Sequence, residues 1–152
     1  MTTVQPTNVA TFPATKPGYR LAPAAIGRSG EKPQIVGIFC PNFCVEDHVA
    51  DRQVAVEDIV HSSETAHTGI RSFLTGQLAL ELYATIKTEA ASHDPRLREA
   101  HIVLDDGSDD AHLSVDEVEE TVGQLLGLAA DLQRLARTAR LHNQYETLAV
   151  TA

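Results

Sequence analysis

The sequence predicts an α+β protein: a small antiparallel β-sheet with a Cys/His knuckle at its start and one long C-terminal helix packed on the sheet. Three observations point there. From Leu80 to Lys87 apolar and polar residues alternate, with Leu80, Leu82, Ala84 and Ile86 on one side, the mark of a sheet with one buried and one wet face. From Val118 onward, Val122, Leu125, Leu126, Ala129, Leu132 and Ala136 recur at three- and four-residue steps, an apolar helical stripe. The chain's only two cysteines, Cys40 and Cys44, are separated by three residues and followed by His48 and His61.

The elements follow in order. Residues 1–33 hold five of the seven prolines (Pro6, Pro13, Pro17, Pro23 and Pro33) and show no apolar periodicity. Proline lacks a backbone donor and this stretch has little to bury, so it reads as a disordered Pro/Thr/Ala-rich tail. At Gln34 the composition changes, and Ile35-Val36-Gly37-Ile38-Phe39 is a short strand that delivers Cys40. Val54 to His61 reads as a strand or strand pair ending on the second histidine. Gly69 to Leu74 is another strand, closed by a hairpin turn at Thr75-Gly76-Gln77. After the alternating strand, residues 91–99 are polar, contain Pro95 and read as a loop. Ala100 to Leu104 is the last strand, followed by the acidic turn Asp105–Asp110.

The helix start is the clearest local signal. Ser114-Val115-Asp116-Glu117 is a capping box, in which the serine accepts from the backbone amide three residues on and the glutamate reaches back. Acids crowd the first turn and Arg134, Arg137 and Arg140 come late, the polarity the helix dipole favours. The expected organisation is a disordered tail over 1–33, one zinc-tied α+β domain over 34–141 and a frayed end over 142–152.

At 152 residues with 43% hydrophobic content but only 5% aromatics and no tryptophan, the core must come from Leu, Val, Ile and Ala. Domains short of such bulk often lean on a metal or on oligomerisation. Residues 1–33 carry four basic side chains against Glu31 alone; the rest holds 8 basic and 20 acidic residues, within a total of −9. So acidic a body repels phosphate backbones, making nucleic acid an unlikely ligand for it, and suits a basic protein partner. No stretch reaches the length of a membrane span, and no charged-then-apolar leader is present. The acid-poor start faintly resembles an organellar transit peptide, but a cytoplasmic protein with a disordered tail is the plainer reading.

Two thiolates and two imidazoles at these spacings are the donor set of a tetrahedral zinc site. The expected ligands are Cys40, Cys44, His48 and His61, with His67, Asp47 or water as stand-ins for His61. A filled shell of four is structural, because catalysis needs an open position. Other chemistries fit less well. A thioredoxin-type redox site uses C-x-x-C, one residue shorter than here, within a βαβ unit that is absent. Zinc deaminases need H-x-E and P-C-x-x-C, and neither occurs. In the acidic turn glycine falls third rather than sixth, so the turn is no EF-hand loop. His93, His101, His112 and His142 show no ligand spacing. No nucleophile elbow, phosphate loop or dinucleotide fingerprint is present.

From Cys40 to about Ala139 the chain resembles an uncharacterised family of small proteins, a domain of unknown function, from actinobacteria, their phages and mobile elements. The family pattern is C-P-x-W-C or P-x-W-C, a gap to Asp/Gly-His, a later His before small residues, and an L-[ST]-x-x-[ED] helix start. Cys40-Pro41-Asn42-Phe43-Cys44, Asp47-His48, His61-Ser62-Ser63 and Leu113-Ser114-Val115-Asp116-Glu117 carry the match. Phe43 departs from it, standing where the family usually has tryptophan. The resemblance implies a zinc-binding-type domain in an actinobacterial setting, and no reaction.

The functional expectation is a non-enzymatic, zinc-stabilised interaction or regulatory module with a protein partner, which a second copy of the chain would also satisfy. One alternative is a zinc hydrolase with an open site on Cys40, Cys44 and His48, and Glu46 or Asp47 beside the metal-bound water. Another is an accessory protein that binds DNA through its basic tail, or imitates DNA with its acidic body.

Overall fold

The computed structural model describes residues 16–150, and the first fifteen positions of the expected tail lie outside the described residues. The chain divides into two compact units, one of residues 1–65 with 86–99 and one of residues 66–85 with 100–152.

In the first unit β1 (Tyr19–Ile26) and β2 (Gln34–Pro41) form an antiparallel ladder that pairs Arg20 with Cys40 and Ala24 with Val36. β2 is the expected strand that delivers Cys40. β1 is a correction, because it lies inside the stretch read as a disordered tail. Its proline is harmless to the ladder: Pro23 shares the parity of Ala25, whose N–H points away from β2 to the His48 carbonyl. Ala24, Ile38 and Ile59 then make a small buried cluster, with Ala22, Ile26 and Val36 packed around it.

The segment expected to be a strand before His61 is mostly something else. Val56–Asp58 is a 3-10 turn, in which the Asp58 carboxylate accepts from the Ala55 amide at 3.0 Å. Only β3 (His61–Ser62) is extended, and it pairs with Thr88 and Lys87 of β5 (Leu78–Thr88). The loop over 91–99 contains a single helical turn, α1 (Pro95–Arg98), started by Pro95 and capped by Asp94, which accepts from the Arg96 amide.

β5 belongs to the second unit as far as Thr85 and to the first from Ile86. In the second unit β4 (Ala66–Arg71) pairs antiparallel with β5, and the hairpin turns at Gly76, whose φ of 68° suits glycine. β6 (His101–Asp105) continues the sheet and is followed by β7 (Asp110–Leu113), a strand the sequence reading lacked, in the order β5-β6-β7. The alternation along β5 does not give one buried and one wet face. Leu78 to Leu80 are exposed and Glu81 to Lys87 are half-buried on both sides.

Ser114 and Glu117 form the expected capping box: Glu117 N–H donates to Ser114 Oγ at 3.3 Å, and Ser114 N–H to Glu117 Oε2 at 2.8 Å. α2 runs over Val115–Val150, through most of the segment expected to fray. The α+β layout, with antiparallel sheets and one long C-terminal helix, is as the sequence predicts. α2 meets β6 and β7, yet its apolar stripe stays open, with Leu125 43% and Leu132 53% exposed.

With so few buried apolar side chains, each one matters. Ile38→Ala removes a nearly buried side chain from the cluster and should cost about 2–5 kcal/mol in urea unfolding, whereas Ile35→Ala on the open face should change stability by less than about 0.5 kcal/mol.

Candidate metal centre

Cys40 and Pro41 are the buried end of β2, and the chain turns at once, with the Cys44 amide donating to the Pro41 carbonyl at 3.0 Å. That turn brings the second thiol back beside the first. Asp47 then shapes the next turn: its Oδ1 accepts from the Val49 and Ala50 amides at 3.0 and 3.2 Å, and its carbonyl accepts from Asp51. His48 is thereby aimed inward. β3 supplies His61, and the Val45 amide ties the knuckle to β3 through the Ser62 carbonyl at 2.9 Å.

Cys40, Cys44, His48 and His61 are all buried, and one donor atom from each lies within 4.8 Å of every other. His48 Nε2 is 3.7 Å from Cys40 Sγ, 3.5 Å from Cys44 Sγ and 3.2 Å from His61 Nδ1. A tetrahedral zinc with Zn–S of about 2.3 Å and Zn–N of about 2.05 Å sets S···N edges of about 3.55 Å and an N···N edge of about 3.35 Å. The observed separations fall on those edges to within about 0.2 Å, the tolerance a metal site requires. The cluster is therefore geometrically suited to hold a metal ion. The imidazole planes stand at 89° with ring centroids 4.9 Å apart.

The electrostatics of Cys40 oppose a redox role, and those of His61 agree with a ligand role. Burial, and then the neighbouring Cys44 thiol, push the Cys40 thiol well above its ordinary range, with Arg20 pulling weakly the other way. A reactive or disulfide-exchanging cysteine requires the opposite shift. Burial pushes His61 down to about 4, helped by the charges of His48 and Arg20, which keeps the imidazole neutral and able to donate a lone pair.

Arg20 is the functional residue that sequence reasoning missed. From β1 its guanidinium donates to the carbonyls of Cys44 at 2.6 Å, Pro41 at 3.2 Å and Asn42 at 3.4 Å, clamping the loop between the two thiols. The Asn42 amide is also held by the Gly18 carbonyl at 3.0 Å. A lone arginine in a proline-rich leader carries no such signal, because the role exists only through the register that sets Arg20 opposite Cys40.

The other candidates go elsewhere. His67 is exposed on β4 and stacks on Tyr83. The Asp47 carboxylate is occupied by backbone amides. His101 and His112, which show no ligand spacing in the sequence, do meet: His112 Nδ1 lies 3.0 Å from His101 Nε2, as diagonal neighbours across the β6–β7 ladder. They lie outside the one candidate metal cluster among the described residues. In the acidic turn Asp106 is held down to about 2 by the Asp109 amide and by Ser108, so it caps the turn, as its sequence suggests.

A family described as a domain of unknown function, DUF6907, matches residues 10–140. The chain belongs to this family. The match includes β1 and all four donors of the cluster. No curated protein and no solved structure matches the chain.

Arg20→Met should leave the donors in place but free the loop that carries them, weakening metal affinity about 10- to 100-fold in a chelator competition. The lowered pKa of His61 also fixes a pH dependence. Between about 6.5 and about 4 the unfolded chain binds a proton at this position and the folded chain does not, so stability falls as pH drops through that window. Urea midpoints measured across it should decline toward acid.

Proposed function

We propose that the chain is a non-enzymatic interaction module whose first unit is held together by one zinc ion on Cys40, Cys44, His48 and His61. The donor separations of 3.7, 3.5 and 3.2 Å carry this reading, because they match a closed tetrahedral shell of two sulfurs and two nitrogens. Zinc suits a mixed thiolate and imidazole set, whereas hard cations prefer oxygen. Four side-chain ligands leave no position for water or substrate, which sets this reading above a hydrolase. The carboxylate of Asp47, the nearest candidate base in sequence, already serves the backbone.

The metal takes the place of bulk. The buried apolar cluster of the first unit consists of Ala24, Ile38 and Ile59, too little to hold a sheet of this size by burial alone. Zinc binding in small modules supplies roughly 10–16 kcal/mol of apparent free energy, which is also folding free energy. Cys40 and Cys44 are free thiols, which fits a reducing compartment such as the cytoplasm. The net charge of −9 suits a basic partner protein over a phosphate backbone.

Metal content and a thermal melt of the wild type and of Cys44→Ser test the proposal together. One zinc per chain in the wild type, lost in the variant along with the cooperative transition, is the expected result. A folded wild type that retains no metal after purification in zinc-supplemented medium contradicts it.

A further inference from the structure

The β6–β7 hairpin gathers two imidazoles and two carboxylates that the zinc reading leaves unused. Alternate residues share a face of a strand, and in this ladder Val103 pairs with His112 and Asp105 with Asp110. His101, Val103 and Asp105 therefore stand on the same face as Asp110 and His112. His101 and Val103 are buried, whereas the side chains of His112 and Asp110 are 37% and 56% exposed. The pair of rings is thus anchored at His101 and reached from solvent at His112.

His101 Nε2 and His112 Nδ1 face each other at 3.0 Å. With a metal–nitrogen distance of about 2.05 Å, as for zinc, two nitrogens that far apart subtend about 94° at the ion. That is the angle between neighbouring ligands of a square-planar or octahedral ion, and it is narrower than the tetrahedral angle of a structural zinc. The ring centroids lie 5.1 Å apart with planes at 31°. Each imidazole has to turn by only about 20° to aim its lone pair at a shared point, a small step for so broad a torsion.

The other nitrogen of His112, Nε2, lies 3.5 Å from Asp110 Oδ2. A carboxylate behind a ligating imidazole holds the proton on the far nitrogen and leaves the lone pair on the near one. Here that assigns the proton to His112 Nε2 and the lone pair to Nδ1. Asp105, across the ladder from Asp110, adds a second negative charge to this face, and β6 and β7 contain no lysine or arginine.

We propose that His101 and His112 form a two-imidazole site for a divalent ion of square-planar or octahedral preference, of the nickel(II) or copper(II) class. Asp110 orients His112, and water completes the coordination. The hydrogen shared between the rings leaves for the far nitrogen of His101 or for solvent as the ion takes its place. The site goes beyond the zinc reading and does not rest on it, since none of these residues is a donor of the four-ligand cluster.

Equilibrium dialysis of the tag-free, full-length, zinc-loaded protein against nickel(II) chloride tests the proposal. The wild type is expected to take up one nickel per chain with its zinc retained, and the ring signals of His101 and His112 to shift or broaden in NMR before those of the other histidines. His112→Asn should abolish that uptake with zinc content and thermal melt unchanged, and Asp110→Asn should weaken it about tenfold. A wild type that takes up no nickel beyond its zinc overturns the proposal, and so does uptake that survives His112→Asn or that expels the zinc.

Discussion

Four soft donors converge on one point in a unit that has almost no apolar interior, and the rest of that unit is arranged around the convergence. Cys40 and Cys44 are themselves among its few buried side chains, beside Ala24, Ala25, Ile38 and Ile59. Burying two thiols and two imidazoles without a partner is costly, and His48 Nδ1 has no hydrogen-bond partner among the described residues. A cation held by the four donors would turn this liability into the strongest set of contacts in the unit. It would fix the end of β2, the turn after it and β3 at a single centre, which hydrophobic contact at this scale does poorly.

The backbone around the cluster is ordered from β1. Arg20 gathers three carbonyls of the knuckle loop, and Ala25 and Gly27 hydrogen-bond to His48 and Gln53 on the far side. Arg52 returns the favour by donating to the carbonyls of Gly27, Arg28 and Glu31. The loops on either side of His48 are thus held by main-chain bonds before any ligand bond is counted. Such outer contacts aim the side chains that would hold a metal, so their loss would be felt at the site.

What the sequence revealed and what it hid divide along one physical line. Local chemistry was legible. The spacing of Cys40, Cys44, His48 and His61 named the cluster, the Ser114–Glu117 pair named the helix start, and Ile35–Phe39 named the strand before the first thiol. Whatever depends on register between distant segments was not. β1 was hidden because Pro17 and Pro23 suggest disorder, and only pairing with β2 shows that the Pro23 nitrogen faces away from the ladder. The meeting of His101 and His112 required β7, whose four residues resemble the end of an acidic turn. The alternation of β5 marks a strand but not one with a buried face and a wet face, since periodicity reports which residues share a face and not what covers that face. The same limit applies to α2, whose stripe announces a partner without saying that the sheet leaves it open.

The central claim is a closed two-sulfur, two-nitrogen zinc shell, and X-ray absorption at the zinc edge of the purified protein reads that shell directly. The account predicts two scatterers at about 2.3 Å and two at about 2.0–2.1 Å, with histidine ring scattering beyond them and no further oxygen ligand. A shell containing a water oxygen, or fewer than two sulfurs, would contradict it and reopen the site to catalysis.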